Sequence, residues 1–411
     1  MRLYIDPGTG SMLFAIFIGV IGAANYLLRK WFASVRFYLS GGKKSKEIGD
    51  RKKYVIFSDD KRYWKNFQSV CCEFDKRGID VFYYTASEDD PALSNPYPHI
   101  HAEFIGAGNK AFAKMNFLSA DIVLATTPGL DVYQWKRSKS VKYYVHLFHA
   151  ASDVTLYRMF GIDYYDALLL SGKYQIDQIR EMESIRNLPE KELEIVGIPY
   201  LDDMAERLKH DEQKKNNNKV VLLAPSWGKA AIFGRYGDKI IEELLRTNYN
   251  IIIRPHPQSF ISEKEQMDQL MMKYPESERL RWNQDGDNYE VLKESDIIIS
   301  DFSGVIFDFC LVFDKPVIYT SPDFDISPYD AWWLQSPLWT FSALERMGKE
   351  LNESNMSNLS DMIFECLNDH RYQNARQEIR NETWECRGEG AKHVVDYIVN
   401  KHKALVGKEE Q

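Results

Sequence analysis

The chain has 411 residues, of which 44% are hydrophobic, and a formal net charge of −8. This length favours two domains, and the apolar content is sufficient for two hydrophobic cores. The acidic balance argues against nucleic acid as the main partner.

An uncharged apolar run of 17 residues at positions 12–28 is the first predicted element, at the low end of length for a transmembrane helix. Residues 29–53 carry nine Lys or Arg against two acids, a net +7, which predicts that the segment after the run is cytoplasmic. Asp6 and the lack of an A-x-A site disfavour a cleaved signal peptide, whereas a re-entrant or interfacial helix remains open. We expect residues 1–53 to be a membrane anchor with a basic juxtamembrane segment, in a single-pass protein of the cytoplasmic membrane with cytoplasmic catalytic domains.

Residues 54–206 are predicted to form the first α/β domain. Its predicted strands lie at residues 54–57, 81–84, 121–125, 142–148, 167–170 and 193–196, with a helix near 64–77. Strands that alternate with helices imply a parallel sheet covered by helices on both faces. His149 follows one strand directly, at the carboxyl end where ligands of open α/β sheets bind. Asp153 is a candidate to orient its imidazole and, equally, a candidate helix cap.

Residues 207–219 are polar, asparagine-rich and aperiodic, which predicts a linker. The α/β pattern then restarts in a second domain, residues 220–385. Its predicted strands lie at 220–224, 251–253, 297–299 and 316–319, with helices near 238–246 and 305–313. Residues 386–411 are predicted to be a C-terminal helix, amphipathic over 391–402.

The stretch Arg254-Pro255-His256-Pro257 follows the second strand of this domain. Proline fixes φ on both sides of His256, so the imidazole lies on a stiff loop at the carboxyl end of a strand. Arg254 adds a cation suited to an anionic ligand.

The stretch Ser300-Asp301-Phe302-Ser303-Gly304 interrupts a β-branched strand just before a helix. A hydroxyl, a glycine without Cβ and the unpaired N–H groups of a helix start can hold a phosphate or diphosphate. The alternative is that Ser303 is only an N-cap. Because the RPHP loop lies in the same half of the chain, we favour a phosphate site.

The sequence contains no evident metal or nucleophile motif. Its five cysteines (Cys71, Cys72, Cys310, Cys366 and Cys386) have no CxxC spacing and are typical of free thiols in a reducing compartment. Without a Walker loop, a DxD pair or a nucleophilic-serine motif, we expect no obligatory metal, no cofactor and no covalent intermediate. Asp301 is interpreted as a capping residue within the phosphate turn, and Asp308 as a hydrogen-bond partner on the helix face.

Several stretches between residues 143 and 397 together resemble the CDP-glycerol glycerophosphotransferase family, the teichoic-acid primases and polymerases. They are His149, Val196-Gly197-Ile198-Pro199, Ala224-Pro225-Ser226-Trp227, the RPHP and SDFSG stretches with Asp308, and residues 388–397. The resemblance implies a GT-B-like fold, in which two Rossmann-like doubly wound domains face a cleft.

The resemblance also implies the reaction. A hydroxyl of a membrane-linked saccharide or polyol-phosphate chain attacks the β-phosphate of CDP-glycerol, or of a related CDP-alcohol, and CMP leaves. His149 and His256 take the positions of the two family histidines and are the predicted catalytic residues. The predicted donor and phosphate ligands are Arg254, Ser226, Asp301, Ser303 and Gly304.

The chain departs from the family in two places. Phe148-His149-Ala150-Ala151 replaces a WHGT stretch that a lysine often follows, which bears on donor and acceptor identity. Gly304 stands where the family tends to have a second serine, which removes one hydroxyl but leaves the backbone N–H groups.

Two other functions are compatible with the same fold. One is a nucleotide-sugar glycosyltransferase or epimerase, and the other is a non-catalytic, membrane-tethered nucleotide-binding scaffold.

Overall fold

The protein's structure, a computed structural model, describes residues 51–211, 218–301, 303–321 and 325–407. Arg51–Gln411 form one compact unit. The apolar run at residues 12–28 lies outside the described residues. Every helix within them is too short or too polar to cross a membrane.

The first sheet has seven parallel strands in the order β3-β2-β1-β4-β5-β6-β7. The strands are β1 (Lys52–Ser58), β2 (Val81–Thr85), β3 (Ile100–Phe104), β4 (Ala120–Ala125), β5 (Val141–Leu147), β6 (Ala167–Leu170) and β7 (Glu192–Ile195). The strand order reverses between β1 and β4. A crevice forms at such a reversal, beyond the carboxyl ends of the strands.

The second sheet has six parallel strands in the order β10-β9-β8-β11-β12-β13. The strands are β8 (Val220–Ala224), β9 (Asn250–Ile253), β10 (Leu280–Trp282), β11 (Ile297–Ser300), β12 (Val317–Tyr319) and β13 (Gly348–Glu350). Its order reverses between β8 and β11. The hydroxyl of Ser300 at the end of β11 donates a hydrogen bond to the carbonyl of Ala224 at the end of β8, which ties the two strand ends together.

Fourteen α-helices lie within the described residues. They are α1 (Trp64–Lys76), α2 (Asn109–Met115), α3 (Tyr174–Arg186), α4 (Pro199–His210), α5 (Ile232–Tyr236), α6 (Lys239–Arg246), α7 (Ser259–Ser262), α8 (Lys264–Lys273), α9 (Tyr289–Glu294), α10 (Val305–Phe313), α11 (Trp339–Met347), α12 (Leu359–Asn368), α13 (His370–Thr383) and α14 (Gly390–Gly407).

Each sheet is covered on both faces, which accounts for its apolar strands. β4, β6, β8 and β11 are buried at every position. Such strands read as continuous apolar runs because neither face meets water. Four buried clusters result, two around each sheet.

The chain crosses between the sheets more than once. Helix α4 follows β7 of the first sheet, yet its Tyr200, Leu201 and Met204 pack in a core of the second sheet. Helix α14 returns to the first sheet, where Val394 and Ile398 join its core. The predicted linker begins inside α4, and its residues 212–217 lie outside the described part of the chain.

The predicted strands and the helices near 64–77, 238–246 and 305–313 are confirmed to within two residues. Three edge strands, β3, β10 and β13, were not predicted. β10 and β13 have three residues each, and β3 alternates exposed residues with buried or half-buried ones. Edge strands of this kind lack the apolar run that marks a central strand.

Candidate active site

A cavity of about 440 Å³ lies where the carboxyl edges of the two sheets face each other. Five of the predicted site residues line it: His149, Arg254, His256, Ser303 and Gly304. Those residues follow β5, β9 and β11, so strand ends of both sheets meet at one place, as expected for open parallel sheets.

A hydrogen bond to Thr126, directly after β4, orients His149. The Thr126 hydroxyl lies 2.9 Å from the carbonyl oxygen of Leu147 and 2.5 Å from Nδ1 of His149. A hydroxyl has one hydrogen, and the carbonyl can only accept it, so the hydroxyl accepts from the Nδ1–H of His149. The lone pair of His149 is therefore on Nε2, as a general base requires.

His149 is neutral at physiological pH. Burial, followed by the charges of Lys65 and Arg62, lowers the pKa of its imidazole to about 4. The ring of Tyr63 packs edge-on against the imidazole, with centroids 5.2 Å apart. The neutral form is the one that can take a proton from an acceptor hydroxyl.

His256 has the opposite tautomer. The backbone N–H of Gln258 lies 3.1 Å from Nδ1 of His256, and an amide N–H can only donate. Nδ1 is thus the acceptor and Nε2 carries the hydrogen. Burial, with smaller effects of Arg62 and Arg254, lowers the pKa of this imidazole and keeps it neutral. His256 can therefore donate a hydrogen bond to a phosphate oxygen.

Arg254 is held by neutral acceptors. Its guanidinium donates to the Asn283 amide oxygen and, over 2.8 Å, to the carbonyl oxygen of Asp285. No carboxylate of the described residues forms an ion pair with it. Its charge remains available for an anion that enters the cavity.

Ser303 and Gly304 precede α10, whose first turn opens into the cavity. No side chain of the described residues caps this helix. Gly304 has helical backbone angles, φ −57° and ψ −21°, and a Cβ built on it would meet no atom within 4 Å. Backbone N–H groups at the start of this helix can donate hydrogen bonds to a phosphate oxygen.

Ser226 and Asp301 lie behind the cavity wall. The Asp301 side chain is fully buried and accepts hydrogen bonds from the backbone N–H of Ser226 (2.9 Å) and of Ile232 (3.2 Å). Burial raises the pKa of Asp301 to about 6. These contacts place Asp301 as the anchor of the loop after β8, and direct donor contacts of Ser226 and Asp301 stay predictions.

Asp153 is a helix cap and does not orient His149. Its carboxylate accepts from the backbone N–H of Trp339 (2.9 Å) and of Thr340 (2.7 Å), at the start of α11. The backbone N–H of Asp153 donates in return to the Thr340 hydroxyl. The loop after β5 is thereby fastened to the second domain.

The loop after β1 and the first turn of α1 supply a wall of the cavity that was not predicted from the sequence. Arg62, Tyr63, Lys65 and Asn66 line the cavity there. The rule that ligands bind beyond strand ends, applied to β1, is the signal that would have found them. Asn66 is 3% exposed, and its Oδ1 has no hydrogen-bond partner among the described residues.

The lining of the cavity is positively charged overall. Arg62, Lys65 and Arg254 contribute three cations, and Asp308 is the single carboxylate among the lining residues. Burial raises the pKa of Asp308, and the charge of Lys65 acts against that rise. Two larger hollows, of about 620 and 640 Å³, contain none of the predicted site residues. Within the described ranges, no group of three or more His, Cys, Asp or Glu side chains is arranged to hold a metal ion.

Residues 155–335 match the family model described as CDP-glycerol:poly(glycerophosphate) glycerophosphotransferase. The matched segment includes the RPHP and SDFSG stretches, and it begins six residues after His149. The family resemblance predicted from the sequence is confirmed over this segment. No curated protein sequence matches the chain.

Similar solved structures confirm the fold of two parallel-sheet α/β domains. A structure of the wall teichoic acid polymerase TagF, soaked with CDPG, has 16% identity and a TM-score of 0.59 over 92% of this chain and 98% of that chain. A putative UDP-N-acetylglucosamine 2-epimerase from Listeria monocytogenes has 13% identity and a TM-score of 0.56 over 86% and 97%. A UDP complex of MnaA from S. aureus has 14% identity and a TM-score of 0.55 over 85% and 99%.

Proposed function

We propose that the protein transfers glycerol phosphate, or another polyol phosphate, from a CDP-activated donor to a hydroxyl of a membrane-linked saccharide or cell-surface glycopolymer. The observation that carries this proposal is the pair of histidines in one cationic cavity, one with a free lone pair and one with a free N–H. The family model that matches residues 155–335 describes the same reaction class.

The reaction is a displacement at phosphorus. The acceptor hydroxyl oxygen bonds to the β-phosphorus, and its proton passes to Nε2 of His149. The bond from the β-phosphorus to the bridging oxygen breaks, and that oxygen leaves with CMP. Phosphoryl transfer needs alignment and charge stabilisation, which His256 Nε2–H, Arg254 and the first turn of α10 supply.

The donor is held by the second domain and the acceptor is activated by the first. Arg254, His256 and the turn before α10 all follow strands of the second sheet, whereas His149 follows β5 of the first. A hydroxyl beside His149 then faces a phosphate bound on the opposite wall. Such positioning supplies a large part of the barrier reduction in a two-substrate reaction.

The test is to incubate the full chain with CDP-glycerol and a lipid-linked acceptor and to follow CMP release and acceptor mass. We expect CMP and an acceptor heavier by one or more glycerol phosphates. UDP-sugars under the same conditions are the comparison. Release of UDP in place of CMP would identify a glycosyltransferase or epimerase, and nucleotide binding without turnover would identify a scaffold.

We also propose that the protein is anchored in the cytoplasmic membrane with its catalytic domains in the cytoplasm. The support is the apolar run at 12–28 and the +7 segment that follows. An anchor on the side where CDP-alcohols are made would bring a lipid-linked acceptor and a soluble donor to the same enzyme.

A further inference from the structure

Lys65 is a cation in the cavity that has no role in the reaction proposed above. It is the second residue of α1, the helix that follows β1, and its exposed side chain lines the cavity. Its ammonium lies 4.1 Å from the centre of the Tyr200 ring. No carboxylate of the described residues forms an ion pair with it. Lys65 thus lines the cavity without a direct ion pair, and its charge acts on the Asp308 carboxylate of the same cavity.

Lys65 reaches from the first domain toward the second. Helix α1 packs on the first sheet through Phe67, Val70 and Phe74, whereas Tyr200 belongs to a core of the second sheet. The charge of Lys65 acts electrostatically on side chains in both walls of the cavity. After burial, it is the largest influence on the pKa of His149 in one wall and of Asp308 in the other.

We propose, on the basis of the proposed function, that Lys65 binds the β-phosphate of the CDP-activated donor and stabilises the charge on that phosphate during transfer. In a displacement at phosphorus, the attacking oxygen and the leaving oxygen lie on opposite sides of the transferred group. Lys65 lines the same cavity as His149, and its charge acts on that imidazole, so this cation is on the side of the attacking oxygen and of the transferred phosphate. The α-phosphate, which leaves with CMP, is then left to Arg254 and the first turn of α10.

A lysine suits this role because the transferred group moves. Its ammonium is a compact charge with three donors on a flexible stem, and it can follow the phosphate without a fixed bidentate geometry. The charge of the transferring group is spread over its equatorial oxygens, where a single point charge stabilises it. Stacking of the ammonium on the Tyr200 ring holds it at the cavity before the donor enters.

The competing explanation is structural, with Lys65 acting only to fasten α1 to α4 through the Tyr200 ring. The two explanations differ in ligand dependence. A structural contact affects every nucleotide alike, whereas a β-phosphate ligand distinguishes CDP and CDP-glycerol from CMP.

The experiment uses the full chain with Lys65→Met, which keeps the length of the side chain and removes its charge, and with Lys65→Arg. Thermal melts establish folding, and calorimetry measures the binding of CMP, CDP and CDP-glycerol beside CMP release. We expect Lys65→Met to weaken CDP and CDP-glycerol binding about 10- to 150-fold, as for a lost hydrogen bond to a charged group, and to leave CMP binding within about twofold. Lys65→Arg should recover part of the loss.

Lys76→Met is the matched control, because Lys76 ends the same helix and lies outside the cavity. It should bind all three nucleotides as the wild type does. Equal losses for CMP and CDP in Lys65→Met, or no loss for either, would overturn the role proposed for Lys65. Failure of the wild-type chain itself to bind any cytidine nucleotide would instead overturn the proposed function, on which this role rests.

Discussion

A threonine hydroxyl behind His149 and a backbone amide beside His256 determine where each imidazole carries its hydrogen. Both imidazoles are neutral at physiological pH, so the tautomer separates their chemical roles. A free Nε2 lone pair can remove a proton, whereas a free Nε2–H can only support a phosphate or its leaving oxygen. The sequence predicted both residues at strand ends, but it did not indicate the tautomer of His149, because Thr126 lies 23 residues before it.

Replacing His149 by alanine tests its role as the base. Because the base acts in the transition state, we expect turnover to fall by roughly 10²- to 10⁴-fold with CDP-glycerol affinity little changed. His256→Ala should lower both turnover and donor affinity, because its N–H contacts the bound phosphate. CMP release and calorimetry on both variants separate the two patterns. Near-normal turnover of a folded His149→Ala variant would refute the base assignment.

The same assignment fixes a pH dependence. A pKa lowered to about 4 means that the neutral, active imidazole of His149 persists down to a pH of about 4. The acid limb of kcat/KM, which reports the free enzyme, should therefore lie well below the pH of about 6.5 expected for an unperturbed histidine. A pH series of kcat/KM measures it. A limb near 6.5 would mean that burial and the two cations do not act on His149 as inferred.

Helix α10 combines the phosphate turn and the core of the second domain in one element. Ile306, Phe309, Cys310 and Phe313 are buried in that core, while the preceding Ser303 and Gly304 face the cavity. Packing in the core therefore holds the helix rigidly, and its first turn lies at the cavity where the donor phosphate is proposed to bind. The sequence indicates this arrangement, because the apolar residues of α10 predict a buried helix and the small polar residues before it predict an accessible N-terminus.

Close approach of a phosphate to the Gly304 backbone stays a prediction, and the structure leaves space for it. The backbone of Gly304 is helical, so the glycine is not needed for a left-handed turn, and its missing Cβ faces open space. A side chain there should leave folding nearly unchanged but occupy the position of the ligand. We expect Gly304→Val to retain the wild-type melting temperature within a few degrees and to lose donor binding at least tenfold, and Gly304→Ala to lose less.

Calorimetry with CDP-glycerol and a thermal melt check the Gly304 variants together. Ser303→Ala provides the comparison, since it removes one hydroxyl and leaves the space free. Its loss should be about 1.5–3 kcal/mol if that hydroxyl bonds to a charged phosphate. Normal donor binding by a folded Gly304→Val variant would place the phosphate site elsewhere in the cavity.

At the scale of the whole molecule, the sequence predicted one wall of the cleft better than the other. The second wall carries compact motifs, RPHP and SDFSG, whose prolines, glycine and hydroxyls are visible locally. The first wall is built from Arg62 to Asn66, a stretch with no such signature. Its position depends on β1 lying next to the strand-order reversal, which is a property of the complete sheet. Asp153 shows the same limit, since its partner Thr340 lies 187 residues away.

The proposed anchor explains how an enzyme that binds a soluble CDP-activated donor can reach an acceptor linked to a membrane lipid. If helical, the 17 residues at 12–28 would span about 26 Å at roughly 1.5 Å per residue, against a hydrocarbon core of about 30 Å. We expect the full chain to sediment with membranes, and deletion of residues 12–28 to release it while CMP release on a water-soluble acceptor persists. Replacing Lys43, Lys44 and Lys46 by glutamate, with the run intact, is the control and should leave the protein on the membrane. A reporter placed after Gln411 should resist protease in intact cells. Digestion of that reporter, or unchanged sedimentation of the deletion variant, would show that the run does not anchor the catalytic domains on the cytoplasmic side.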